Sequence, residues 1–222
     1  MYRRYRFLPL VTGLTGTAFS VAYLFMDNYL SFIQLCQLNI FILSAIGVIL
    51  GFFLRKLLID SNTDFATGLY NKRYFSHRLA LEMNKLSRNS RELTLLFLDI
   101  DSFKELNDTF GHVYADKVLW ETASLLKSTF TDPKITIARW GGDEFAVLLP
   151  GITLLQANNF IQKFNQIVFD HFHGQISISI GTASTNKKID PVRFIEASDL
   201  DLYNNKMSAI SSNKIKTTWP SL

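Results

Sequence analysis

Two uninterrupted apolar runs open the chain, and from about residue 60 they give way to short periodic segments. Phe7 to Met26 is a run of 20 residues without a charge, and Leu30 to Leu54 is another of 25. Each is long enough to cross the hydrocarbon core of a bilayer as a helix. Only Asp27-Asn28-Tyr29 lies between them, which predicts a tight helical hairpin. Arg3, Arg4 and Arg6 precede the first run, and Arg55 and Lys56 follow the second. The positive-inside rule then places both ends in the cytoplasm and the small loop outside. A cleaved signal peptide is the alternative for the first run, but no A-x-A-like site follows it and a second span comes at once. Gln34, Gln37 and Asn39 are uncharged polar residues in the second run, suited to bonds between helices or to the outer interface. A three-residue loop has no room for an extracytoplasmic ligand pocket.

Leu57 to Thr63 reads as a connector, continuing the second helix as far as Asp60-Ser61-Asn62. A structured turn over 64–71 follows, with Asn71 as a candidate N-cap. Phe75, Leu79, Met83 and Leu86 recur at helical spacing over Tyr74 to Leu86. Leu93 to Leu98 is nearly continuous and apolar, as expected of a strand covered on both faces, and it stops at Asp99-Ile100-Asp101. Phe103 to Phe110 predicts a short helix, and Asp116 to Phe130 an amphipathic one. Strand-like runs at 134–138 and 146–150 flank Arg139-Trp140-Gly141-Gly142-Asp143-Glu144-Phe145, which reads as a hairpin. A helix over Leu154 to Phe169, a period-two strand over Ile176 to Gly181 and a helix over Val192 to Met207 complete the order.

From Leu93 onward that order is β, α, β, β, α, β with an added helix at each end, the split βαβ or ferredoxin-like α+β arrangement. Asp143 and Glu144 taken alone are as well explained by a solvated turn as by any chemistry. The topology changes this. The first and second strands run parallel with the third antiparallel between them, so the end of the first meets the hairpin turn at one edge. Asp99 is therefore expected beside Asp143 and Glu144. Crowded carboxylates raise one another's pKa unless a cation neutralises them. Hard oxygen ligands without Cys or His suit Mg²⁺ or Mn²⁺, and two such ions can activate a hydroxyl and stabilise a phosphate under attack. Lys104 is close enough in sequence to serve a phosphate or simply to be a solvated charge.

Composition narrows the field. The single cysteine, Cys36, excludes an intrachain disulfide and a Cys-based zinc site. Of 23 Lys/Arg, five fall within residues 1–56, leaving 18 beyond; of 19 Asp/Glu, one falls there, also leaving 18. The basic excess thus belongs to the segment flanking the apolar runs, and the remainder is neutral. No nucleic-acid-binding face is called for. No Walker-type G-x-x-x-x-G-K-[ST] is present, so phosphates are not held by a P-loop. Residues 1–56 are expected to form a membrane anchor, 57–63 a connector and 64–222 the soluble domain.

Residues 141–145 read Gly-Gly-Asp-Glu-Phe, and the chain resembles the GGDEF-domain diguanylate cyclases from Asp64 to about Lys206. The opening motif is Asp64-Phe65-Ala66-Thr67-Gly68-Leu69-Tyr70-Asn71-Lys72-Arg73, with Ala66 in place of a leucine. Asp99-Ile100-Asp101-Ser102-Phe103-Lys104-Glu105-Leu106-Asn107-Asp108 matches the metal and guanine segment. Gly111 to Asp116 matches the turn after it, with Ala115 in place of a glycine. Ser179-Ile180-Gly181 and Asp199 to Lys206 match the closing strand and helix.

The resemblance implies that two GTP molecules are joined into cyclic di-GMP with release of two pyrophosphates. Asp99, the Ile100 carbonyl and Glu144 would bind the metals, two Mg²⁺ or Mn²⁺ per half-site. Asp143 would act as a further ligand or as base for the 3′-hydroxyl. Asn107 and Asp116 would bind the guanine edge, and Phe103, Lys104 and Lys206 the triphosphate. Each domain holds one GTP, so a homodimer is implied, favoured by confinement to the bilayer of a bacterial inner membrane. Asp132-Pro133-Lys134-Ile135 occupies the positions of the family's R-x-x-D inhibition site, so product inhibition there is expected to be missing. Ile210 stands where an arginine is common. A catalytically silent GGDEF domain that binds nucleotide or a partner is the second reading, and a cyclase using ATP a third; the acceptors on Asn107 and Asp116 suit guanine better.

Overall fold

The computed structural model describes residues 29–86 and 91–211, and the chain divides into compact units at Ser61/Asn62. Helix α1 (Tyr29–Asp60) belongs to the first unit. Its stretch Ile33–Lys56 has the length and apolarity to cross a membrane. At 24 residues it would span about 36 Å, enough for the hydrocarbon core. Phe41, Ile49, Phe52 and Phe53 are exposed along it. Asn39 is exposed, and its Nδ2 donates to the Leu35 carbonyl one turn back, at 3.0 Å. The expected first span, and with it the hairpin, lies outside the described residues.

The second unit contains β1 (Tyr70–Asn71), α2 (Lys72–Leu86), β2 (Leu93–Ile100), α3 (Phe103–Phe110), α4 (His112–Thr129), β3 (Thr136–Gly141), β4 (Glu144–Pro150), α5 (Leu154–His171), β5 (Ile178–Thr185) and α6 (Pro191–Ser211). The five strands form one sheet in the order β1-β3-β4-β2-β5. β4 lies antiparallel between β3 and β2, and β5 pairs antiparallel with the other side of β2. This is the expected split βαβ order, with a two-residue strand added parallel to β3.

Why β2 is apolar throughout is plain from its neighbours. Leu96, Leu98 and Ile100 face one core with Phe145, Val147 and residues of α3, α4 and α5. Leu93, Leu95 and Phe97 face the other with Ala146, Leu148 and residues of α2 and α6. Both faces are covered, so the period-two signal of a half-exposed strand disappears.

Three of the differences from expectation have a plain physical cause. Helix α4 begins at His112 rather than Asp116, because its first turn exposes His112, Val113 and Tyr114 and so shows no apolar spacing. β5 continues to Thr185, where backbone pairing with Leu93 extends the ladder past the apolar alternation. β1 is too short for any periodicity. Asn71 caps α2 as expected, accepting from the Tyr74 amide at 3.0 Å.

Candidate active site

Cross-strand register builds the site. Asp99, the seventh residue of β2, is the Cα partner of Glu144, the first residue of β4. One position on, the Ile100 amide donates to the Asp143 carbonyl at 3.4 Å. The topology therefore brings together the acids expected to meet. The turn needs Gly142 at φ 50, in the left-handed region. The β3–β4 register shifts between Arg139 and Gly141, which sets Glu144 opposite Gly141.

Among the described residues, Lys206 is the cation paired with these acids. The Lys206 Nζ lies 2.5 Å from Asp99 Oδ1. Burial pushes the Asp99 carboxyl up to about 6; Lys206 opposes the rise, while Asp143 and Glu144 add to it. Glu144 is also raised, by burial first, then by Asp143 and Asp199, against Lys206 and Lys72. The cluster is short of positive charge. Among the described residues, however, no three Asp, Glu, His or Cys side chains stand ready as a coordination shell.

The segment after β2 carries the other expected residues. Asp101 is buried and accepts from Ser177 Oγ and Ser179 Oγ, both at 2.6 Å, while its amide donates to the Ser177 carbonyl at 3.0 Å. Ser102 then takes φ 54 and turns the chain into α3. Phe103 is half-buried against the core, and Lys104 is exposed. Asn107 Oδ1 is buried with no hydrogen-bond partner among the described residues, an acceptor with its cost of burial uncompensated. Asp116 is exposed on α4. Asp132 and Ile135 close a turn before β3, the Ile135 amide donating to the Asp132 carbonyl at 3.0 Å.

Two contributors escaped the sequence. Arg139 Nε donates to the Gly142 carbonyl at 2.8 Å, and its Nη1 pairs with Asp64 Oδ1 at 3.2 Å. Asp64 in turn accepts from the Thr67 amide and hydroxyl at 3.0 and 2.7 Å. The opening turn is thereby tied to the hairpin that presents Asp143. Lys72, its Nζ 4.3 Å from the centre of the Trp140 ring, sends a further positive field toward Glu144. The available signal was a charge, Arg139, inside an apolar strand; its partner lies 75 residues away.

This combination of sheet, hairpin and acid cluster defines a class. The chain belongs to the GGDEF-domain diguanylate cyclase family, whose profile, "Diguanylate cyclase, GGDEF domain", matches residues 61–211. It is 31% identical over 167 residues to the probable diguanylate cyclase DgcC of Escherichia coli K12, covering 72% of this chain and 45% of that protein. It is 33% identical over 163 residues to diguanylate cyclase A of Treponema denticola, covering 69% of this chain and 44% of that protein. The chain thus spans less than half the length of these two relatives. Among solved structures it resembles the coiled coil and GGDEF domain of DgcB from Caulobacter crescentus in complex with c-di-GMP. That match has a TM-score of 0.69 and 25% identity, and covers 74% of this chain and 91% of that one.

Proposed function

We propose that this protein is a diguanylate cyclase held at the membrane by α1, condensing two GTP into cyclic di-GMP and two pyrophosphates. The observation that carries the reading is the set of acids Asp99, Asp143 and Glu144 at one sheet edge, short of cations among the described residues. Their hard oxygens and the Ile100 carbonyl suit Mg²⁺ or Mn²⁺, two per half-site. When bound, such ions lower the pKa of the attacking hydroxyl and stabilise charge on the phosphate.

The chain's own residues supply the rest. The orphaned Asn107 Oδ1 would accept from a guanine amino or ring N–H, with Asp116 as the second acceptor. Phe103, Lys104 and Lys206 hold the triphosphate, Lys206 offering to a phosphate oxygen the ammonium that here faces Asp99. Asp143 serves as a further ligand or as base for the 3′-hydroxyl. The 3′-oxygen of each GTP attacks the other's α-phosphorus as the bond to the β-phosphate breaks, which requires two domains face to face. Arg55 and Lys56 at the end of the apolar stretch put the cyclase on the cytoplasmic side. The turn at Asp132–Ile135 carries no arginine to bind product.

Incubating detergent-solubilised protein with GTP and Mg²⁺ tests this, with cyclic di-GMP as the expected product and ATP as the competing substrate. GTP binding without product would instead establish a silent, nucleotide-binding GGDEF domain.

A further inference from the structure

β5 is an edge strand: β2 pairs with it on one side, and among the described residues no strand takes up the other. Side chains of α6 meet its outward backbone groups instead. Asp201 Oδ2 accepts from the Thr182 amide at 2.7 Å and from the Thr182 hydroxyl at 3.1 Å. Asn205 Nδ2 donates to the Ile180 carbonyl at 2.9 Å. The spacing is matched. Two residues along a strand cover about 6.6 Å and four along a helix about 6 Å, so residues 201 and 205 meet 182 and 180 in antiparallel sense.

The approach is close because residue 181 is glycine. A Cβ there would lie 2.2 Å from the backbone of both Leu202 and Ser198. Ser198 Oγ adds a bond to the Gly181 carbonyl at 3.1 Å.

The register then runs one step further. After Asn205 comes Lys206; before Ile180 comes Ser179, whose Cα partner across the sheet is Asp99. The lysine reaches Asp99 because the two preceding polar residues fix which turn of α6 faces which residue of β5. A slip of one turn would carry Nζ about 5.4 Å along the helix axis, beyond hydrogen-bonding reach. We infer that Asp201 and Asn205 are positioning residues: they act on the nucleotide through Lys206, by holding its ammonium at the acid cluster. This rests on Lys206 being a phosphate contact, as proposed above.

A double-mutant cycle on the full chain in detergent tests it, reading equilibrium binding of 3′-deoxy-GTP, which cannot be condensed, together with the melting temperature. Asn205 is exposed, so Asn205→Ala leaves the core intact; it and Asp201→Ala are each expected to weaken binding about three- to tenfold. In a Lys206→Ala background neither is expected to cause further loss. Asp201→Asn, which keeps an acceptor for the Thr182 amide, is expected to bind as the wild type does. Full losses persisting in the Lys206→Ala background, or unaltered binding in Asn205→Ala and Asp201→Ala, would overturn the inference while leaving the site assignment standing. Failure of the wild-type protein to bind the nucleotide would overturn the assignment itself.

Discussion

Asp64 and Asp99 each face a cationic side chain, and their carboxyls move in opposite directions. Burial pushes Asp64 up, but hydrogen bonds from Thr67 and the charge of Arg139 more than reverse it, leaving the group below its ordinary value. Asp99 is raised to about 6 by burial, and Lys206 cannot cancel it because Asp143 and Glu144 add repulsion. The opening turn is complete within the chain. The sheet edge sets Asp99, Asp143 and Glu144 against Lys206 and, farther off, Lys72, and the proposed cations would complete it. A buried acid's shift thus reports its neighbours: donors and a guanidinium at Asp64, two further carboxylates at Asp99.

The largest test of this contrast removes an acid from the incomplete side. Glu144→Ala is expected to reduce cyclic di-GMP formation by roughly 10²–10³-fold or more. Its melting temperature should stay close to that of the wild type, because a half-buried edge residue and no core is lost. Unchanged turnover would end its assignment as a metal ligand. On the complete side the expectation is inverted. Asp64→Ala strands Arg139, only 17% exposed, and should cost about 1–3 kcal/mol of stability, read by denaturant unfolding. Its turnover should fall far less than that of Glu144→Ala.

Acid sharpens the same comparison. The folded-state pKa of Asp64 lies below its unfolded value near 3.8, so its pairing stabilises fully above that value and is lost as pH falls through the folded one. Wild-type stability should therefore drop below about pH 4 more steeply than that of Asp64→Asn. If the two unfolding curves run parallel there, Asp64 is not the group responsible. The smallest effect concerns Asp99 without metal. Its folded pKa is raised, so the ionised form is penalised from the ordinary value upward, and fully so above about 6. Asp99→Asn should then melt slightly higher than the wild type in chelator at pH 7.5, and lose that advantage at pH 4. A lower melting point at neutral pH would mean that Lys206 already satisfies the aspartate.

The sheet order and the meeting of Asp99 with Asp143 and Glu144 were legible because they follow from strand order and chain crossing rules alone. Legible too was the turn from β2 into α3, since its residues are adjacent in sequence. What stayed hidden depends on partners distant in sequence. Nothing local to Arg139 names Asp64, and nothing local to Asp101 names Ser177 and Ser179. The N-terminal end of α4 was missed for a different reason: its first turn faces solvent, and periodicity records only buried faces. Asp201 and Asn205 look like ordinary surface residues of a helix until β5 is seen beside them.

Both margins of the sheet are blunt. At one, β1 offers a pairing surface of only two residues; at the other, α6 occupies the groups a new strand would need. Exposed strand edges invite identical chains to zip together irreversibly. If copies of this chain meet in one membrane plane, as proposed above, these blunt margins would keep them from fusing sheet to sheet.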